Sequence, residues 1–194
     1  MPSWWLNELG HAGAEHLDPA FVAGYDAKQQ FDPSDDVVAL VGLGLGPSTL
    51  LLDLGAGTGT LAIAAAATGA DVTAIDVSPA MVERLGARSV AVPNVEVGEG
   101  GFLSYEHNGE PFDFVYCRNA LHQLPDFWKV IALWRVAGWL RPGGVLMLRD
   151  LVYDLAPEQV DEVFDAWFAR AVDDPATGYT ADDFADHVRT EHST

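Results

Sequence analysis

Asp53 precedes Gly55-Ala56-Gly57-Thr58-Gly59, which places glycines at alternate positions, and Asp76 stands 21 residues beyond Gly55. Glycines permit a tight turn and let the backbone approach a ligand with no Cβ in the way. A helix starting after such a turn presents free amides to a polar or anionic group. An acid at the end of the next strand can accept hydrogen bonds from two ribose hydroxyls. Glycines and acids are each common at strand ends, so the signal lies in their order: strand, glycine turn, helix, strand, acid. A dinucleotide fingerprint asks for G-x-G-x-x-G, whereas Thr60 occupies the sixth place here. No phosphate-gripping Lys-Ser/Thr loop is present either, and a nicotinamide-dependent oxidoreductase is disfavoured.

The elements that must position these residues alternate along the chain. Thr49 to Asp53 is a short apolar run suited to a strand buried on both faces. Leu61 to Thr68 is alanine-rich and helical, closed by Gly69. Asp71 to Asp76 is β-branched, and Ser78-Pro79 opens a helix through Met81, Val82 and Leu85. Further strands are expected at Val95 to Val97, Phe112 to Tyr116 and Val145 to Leu148. Between the last two, a helix from Asp126 to Leu140 sets Phe127, Val130, Ile131, Trp134 and Ala137 on one stripe, read as the core face. Trp128, Trp134 and Trp167 are read as core or near-core positions. A helix opening at Pro157 carries Val160, Val163, Phe164, Trp167 and Phe168, expected to face inward. Upstream, Asp32-Pro33-Ser34-Asp35-Asp36 reads as a turn with Ser34 as N-cap.

The alternation implies an α/β fold, a doubly wound and mainly parallel five-stranded sheet with helices on both faces; the order expected for it, 3-2-1-4-5, is implied by a family resemblance and not by the alternation. The expected organisation is an N-terminal helical lid over 1–34, a ligand-binding core over 35–155 and a C-terminal helical segment over 156–194.

With 10 basic against 29 acidic residues, the net charge is −19. Such a surface repels phosphate backbones, so no nucleic-acid partner is expected. Nearly half of the residues are hydrophobic, enough for a core. Cys117 is alone, and His11, His16, His107, His187 and His192 show no ligand spacing, so no metal is assigned. The most apolar stretch, Val37 to Leu52, is broken by Gly42, Gly44, Gly46 and Pro47, which argues against a membrane span. No leader-like N-terminus is seen, and the chain reads as cytoplasmic. Nothing in the residues bears on oligomeric state.

Four segments together resemble the class I S-adenosylmethionine-dependent methyltransferases. Leu51 to Gly59 looks like the first motif of that family and Ala74 to Met81 like the second. Asp113-Phe114-Val115 with Asn119 to His122 resembles the fourth, and Leu140 to Gly144 the turn before the fifth strand. The resemblance covers about residues 35 to 155 and implies S-adenosylmethionine as cofactor. By it, Asp53 would hold the amino end, the backbone of Gly55, Ala56, Gly57 and Gly59 would cradle the methionine part, and Asp76 would bind the ribose. Val77 and Met81 would pack on the adenine, the Phe102 amide would bond the ring, and the Arg118 carbonyl would sit near the amino group.

The resemblance implies a methyltransferase acting on a small-molecule acceptor, by in-line displacement that is largely a matter of orientation. His122, Tyr25 and Asp150 are the catalytic candidates, with Tyr153 also on the pocket side. Each has a plainer role open to it: His122 packing the helix start, Asp150 capping the next segment, Tyr25 a lid contact. Two departures favour an alternative, a cofactor-binding pseudoenzyme or regulator. Gly101 stands where the family carries an acid for the adenine, with Glu99 as a shifted substitute. No strand-like run follows Tyr153, which leaves the fifth strand as a bare edge and suggests a truncated chain.

Overall fold

The computed structural model describes residues 3–152 and 154–169, together with Thr180, Asp182 and Ala185. Tyr153 and nearly all of the stretch from 170 to 194 lie outside the described residues.

The chain opens with two 3-10 turns, Glu8–His11 and Ala14–Leu17, and then α1, Pro19–Gln29. Asp18 caps α1 by accepting from the Ala20 amide at 2.9 Å, and Pro19 occupies the first helical position, where its missing N–H costs nothing. Next comes α2, Ser34–Gly42. Its start differs from the expected cap: Ser34 lies inside the first turn, and its amide and hydroxyl both donate to Asp32 Oδ1, at 2.9 and 2.6 Å. The Asp32 carboxylate, two residues upstream, takes the capping work.

The alternating region follows as β1 (Leu50–Leu54), α3 (Thr60–Ala66), β2 (Asp71–Asp76), α4 (Pro79–Ser89), β3 (Val95–Glu99), β4 (Phe112–Arg118), α5 (Asp126–Trp139) and β5 (Leu140–Arg149). Beyond it is α6, Val160–Phe168. The strands form one sheet, every pairing parallel as the alternation predicts, in the order β3-β2-β1-β4-β5 that the resemblance implies. Central β1 is sealed on both faces, and its alternate side chains feed two cores. Leu51 joins Leu40, Leu61, Val72, Leu85 and Tyr116 on the α2–α3–α4 side. Leu52 and Leu54 join Ile75, Leu103, Val115, Ala132 and Val136 on the α5 side.

Three expectations need correction. The stripe read as the core face of α5 is turned outward: Phe127, Val130 and Trp134 are exposed, Trp134 to 72%. The buried residues are Lys129, Ala132, Val136 and Trp139, the last only 8% accessible. This helix is apolar nearly all round, so periodicity offers two stripes and does not choose between them. In α6 no residue is buried; Val163, Phe164 and Phe168 are half-covered while Val160 and Trp167 are exposed. Finally, β5 runs for ten residues where Val145 to Leu148 was expected. It starts at Leu140, opposite Phe112, and absorbs Pro142-Gly143-Gly144 as an irregularity before pairing resumes at Val145. A backbone with φ +80° at Gly143 is what a glycine permits there.

Among the described residues no helix is long and apolar enough to cross a membrane.

Candidate functional site

Parallel sheets leave a crevice beyond the carboxyl ends of the strands where the order reverses. Here that point lies between β1 and β4. After Leu54 the chain bends sharply, with φ of +75° at Gly55 and +55° at Gly57, a region that other L-residues occupy at a cost. The bend is pinned to the neighbouring strand, since the Gly55 and Ala56 amides donate to the Ile75 carbonyl at 3.0 and 2.9 Å. A Cβ on Gly55 would stand 2.7 Å from Ala120 Cβ, so the turn presses against the end of β4.

Two carboxylates flank the turn, and their surroundings differ. Asp76 Oδ2 accepts from the Gly57 amide at 2.8 Å and Oδ1 from the Ser78 amide at 2.9 Å. Each oxygen keeps a lone pair for a further donor. Burial raises the Asp76 pKa, and these amides oppose the rise. Asp53 is buried, and its Oδ2 has no hydrogen-bond partner. Burial first, and then the charge of Asp76, push its pKa up to about 7 against the pull of the Ala62 amide. A buried acceptor left open beside a glycine turn fits an incoming ammonium or N–H donor.

Two adjoining hollows surround the turn, both open to solvent. Gly55, Gly57, Tyr25, Arg118 and Asn119 line both. Asp76, Val77, Met81 and Phe102 line the first, and Asp53 and Ala56 the second. Gly59 lines neither; it sits beneath the turn, where a Cβ would come within 2.0 Å of Leu85 Cδ1.

The catalytic candidates fall in two places. Tyr25 enters from α1, with ring centroids 5.7 Å from His16 and 6.2 Å from Phe21. Burial, with the Asp76 and Asp26 charges behind it, pushes its hydroxyl up to about 12. His122 and Asp150 are brought together: His122 Nδ1 hydrogen-bonds Asp150 Oδ1, and the His122 amide donates to Asp150 Oδ2 at 2.9 Å. Asp150 also accepts from the Leu151 amide at 2.9 Å, so it caps its own segment as well. Neither residue is on the lining of the two hollows; Gln123 and Leu124, next in sequence to His122, are.

Sequence reasoning missed how closely the N-terminal turns enter the site. Glu8, His11 and His16 line the first hollow, and Ser78 Oγ donates to the His16 carbonyl at 2.7 Å. Asp26 of α1 reaches the glycine turn: Thr58 Oγ1 donates to Asp26 Oδ1 at 2.5 Å, and Arg88 Nη1 bonds both Asp26 Oδ1 and the Thr58 carbonyl at 2.9 Å. Asp36 of α2 gathers the ends of β4 and β5, accepting from Tyr116 Oη at 2.6 Å and ion-paired with Arg149, whose Nε lies 2.5 Å away. Arg118 lies 3.5 Å from the same carboxylate and over the Phe31 ring at 4.5 Å. Glu99 is exposed at the end of β3 and lines neither hollow. No local pattern signals these contacts, because each joins segments far apart in the chain.

Residues 51–144 match the family model of a methyltransferase domain. Over that stretch the chain resembles a methyltransferase domain, and it shares the Rossmann-like fold of solved methyltransferases. Among solved structures, it is similar to the CcbJ methyltransferase from Streptomyces caelestis, with 25% identity and a TM-score of 0.54 over 61% of this chain and 52% of that one. It shares the fold of a SAM dependent methyltransferase from Aquifex aeolicus, with 21% identity and a TM-score of 0.58, covering 77% and 87% of the two chains. The fold also recurs in phosphoethanolamine N-methyltransferase 1 from Haemonchus contortus, at 23% identity and a TM-score of 0.58, over 77% of this chain and 35% of that one. The present chain spans about half the length of the Streptomyces caelestis structure. No curated protein matches the sequence.

Proposed function

We propose that this chain is an S-adenosylmethionine-dependent methyltransferase that transfers a methyl group by in-line displacement to a small-molecule acceptor. The observation that carries the reading is the pair of carboxylates across the glycine turn: Asp53 with an open buried oxygen, Asp76 held by two amides with lone pairs to spare. That arrangement suits one ligand with an amino group at one end and a ribose at the other. The cofactor, when bound, supplies an electrophilic methyl group on a sulfonium centre.

The chain's own residues then do the binding and orienting. Asp53 accepts from the amino group, Gly55 to Gly59 bend to leave room for the amino-acid tail, and Asp76 receives the ribose hydroxyls. Val77 and Met81 offer apolar surface to the base. Holding donor and acceptor in line can lower a barrier by roughly 7–11 kcal/mol, so little further chemistry is demanded of the protein. His122, its imidazole oriented by Asp150, lies off the lining of both hollows, so as a base the pair would need the wall at Gln123 and Leu124 to open toward it; Tyr25 is the catalytic candidate that lines the crevice. Tyr25, with its hydroxyl held protonated at neutral pH, acts as a hydrogen-bond donor facing the crevice. The other structures of this fold favour a small acceptor; the Haemonchus contortus enzyme is complexed with phosphoethanolamine. The charge of −19 disfavours a nucleic-acid acceptor and suits a neutral or cationic one.

Calorimetry with S-adenosylmethionine and S-adenosylhomocysteine tests the binding half of the proposal, with micromolar affinity expected for both. No heat with either ligand would end it. Release of S-adenosylhomocysteine across a panel of small amines, thiols and phenols tests the transfer. Binding without turnover on any acceptor would leave the pseudoenzyme reading in its place.

A further inference from the structure

Gly101 follows β3 by two residues and lines the first hollow. A Cβ built on it would meet the Glu8 carboxyl group, with Cδ and Oε1 at 2.5 Å and Oε2 at 2.6 Å. The space that a side chain at position 101 would fill is taken by a carboxylate delivered from the N-terminal turn. Glu8 is only 7% exposed, yet it lines the same hollow as Asp76, Val77, Met81 and Phe102. Its Oε2 accepts from the Leu103 amide at 3.0 Å and from Ser104 Oγ at 3.0 Å, and Oε1 takes neither of these bonds.

We infer that Glu8 is a nucleoside-binding residue, its carboxylate accepting from the exocyclic amino group of a purine seated between the Val77–Met81 and Phe102 surfaces. The inference rests on the nucleoside reading of the crevice proposed above. Its physical basis is the burial of a carboxylate against an apolar hollow. Such a group is retained where donors satisfy it, and here the Leu103 amide and the Ser104 hydroxyl both bond Oε2, with the Phe102 amide adding to the pull on the charged form. Asp76, also on this hollow, is already matched to a sugar, which leaves Glu8 to read the base. Burial raises the Glu8 pKa, and the bonds from Leu103 and Ser104 pull it back. Because the contact spans 95 residues of sequence, it makes the N-terminal turn part of the binding site.

The test compares S-adenosylhomocysteine with its analogue bearing hydrogen in place of the purine amino group, by calorimetry. Wild-type protein should prefer the amino form by about 10- to 100-fold, the loss of one hydrogen bond to a charged group. Glu8→Ala should bring that ratio to about 2-fold or less, whatever happens to absolute affinity. Because Glu8→Ala also removes the bonds that tie the N-terminal turn to Leu103 and Ser104, the double variant Glu8→Ala/Gly101→Asp supplies the second arm. It returns a carboxylate to the vacated space, and Gly101 has no left-handed φ to forbid the side chain. The double variant should regain most of the wild-type ratio, whereas Gly101→Asp alone, forced against Glu8, should bind more weakly than wild type. Equal binding of the two ligands by wild type, or an unchanged ratio in Glu8→Ala, overturns the inference while leaving the cofactor assignment standing. Failure of wild type to bind either ligand removes the nucleoside reading itself.

Discussion

At the crevice, the apolar surface of Val77, Met81 and Phe102 is overlaid by the N-terminal turns, whereas along α5 the Phe127, Val130 and Trp134 side chains face outward. Both surfaces are apolar in sequence. They differ in what ties the covering chain down. Glu8, Asp26 and Asp36 each plant a carboxylate on a backbone amide, hydroxyl or guanidinium at the carboxyl edge of the sheet, and the segments bearing them are held over the ligand crevice. Apolar burial is non-directional and does not choose which surface is covered. Directional bonds to partly buried charges do.

The contrast is sharpest within one helix. Trp139 lies in the α5-side core, its ring edge-on to Tyr105 at 5.4 Å with Arg135 above it at 5.3 Å. Trp139→Ala should cost about 4 kcal/mol of stability by denaturant titration, from lost burial and the cavity left behind. A cost under about 1 kcal/mol would mean that this end of α5 is not packed as described.

Next in size is a pH effect at Asp53. Since its pKa is raised to about 7, the folded chain holds a proton there that the unfolded chain releases. Stability contributed by that proton is present at low pH and is lost as pH rises from about 4 to about 7. The difference is at most ~4 kcal/mol. Asp53→Asn should flatten the wild-type slope across that window, and identical profiles would refute the buried, partnerless oxygen. Cofactor affinity should run the other way, strengthening as pH rises through about 7 and the carboxylate becomes free to accept an ammonium.

Gly55→Ala combines a left-handed backbone with a Cβ placed 2.7 Å from Ala120 Cβ. Strain and overpacking together should cost about 3 kcal/mol, read as a lowered melting temperature. Asp76→Ala should weaken S-adenosylhomocysteine binding on the order of 100-fold, two charge-assisted hydrogen bonds being lost. A change below about 3-fold would show that the ribose is held elsewhere. At the small end, Trp134→Gln should move stability by no more than about 0.5 kcal/mol, the outward counterpart of Trp139.

Legibility followed the range of the interactions concerned. The strands, the glycine turn and the places of Asp53 and Asp76 are written locally, in apolar runs, turn residues and a spacing of 21 between Gly55 and Asp76. Gly101 was also visible as a missing acid, but what fills its space was not. Glu8 is a lone acid in a polar segment and carries no periodic or motif signal. The inner face of α5 was unreadable for a different reason: the helix offers apolar residues in every direction, and only packing in the folded chain buries Ala132, Val136 and Trp139 and leaves Phe127, Val130 and Trp134 outside.

By itself, then, the sequence determined the strands, the helices between them and the bend that opens a crevice, because these depend on neighbours a few residues apart. Tertiary structure alone decided which carboxylates meet in that crevice and which aromatic face is left outside. Those outcomes depend on bonds such as Glu8 to Leu103, formed between segments that come together only when the sheet has folded.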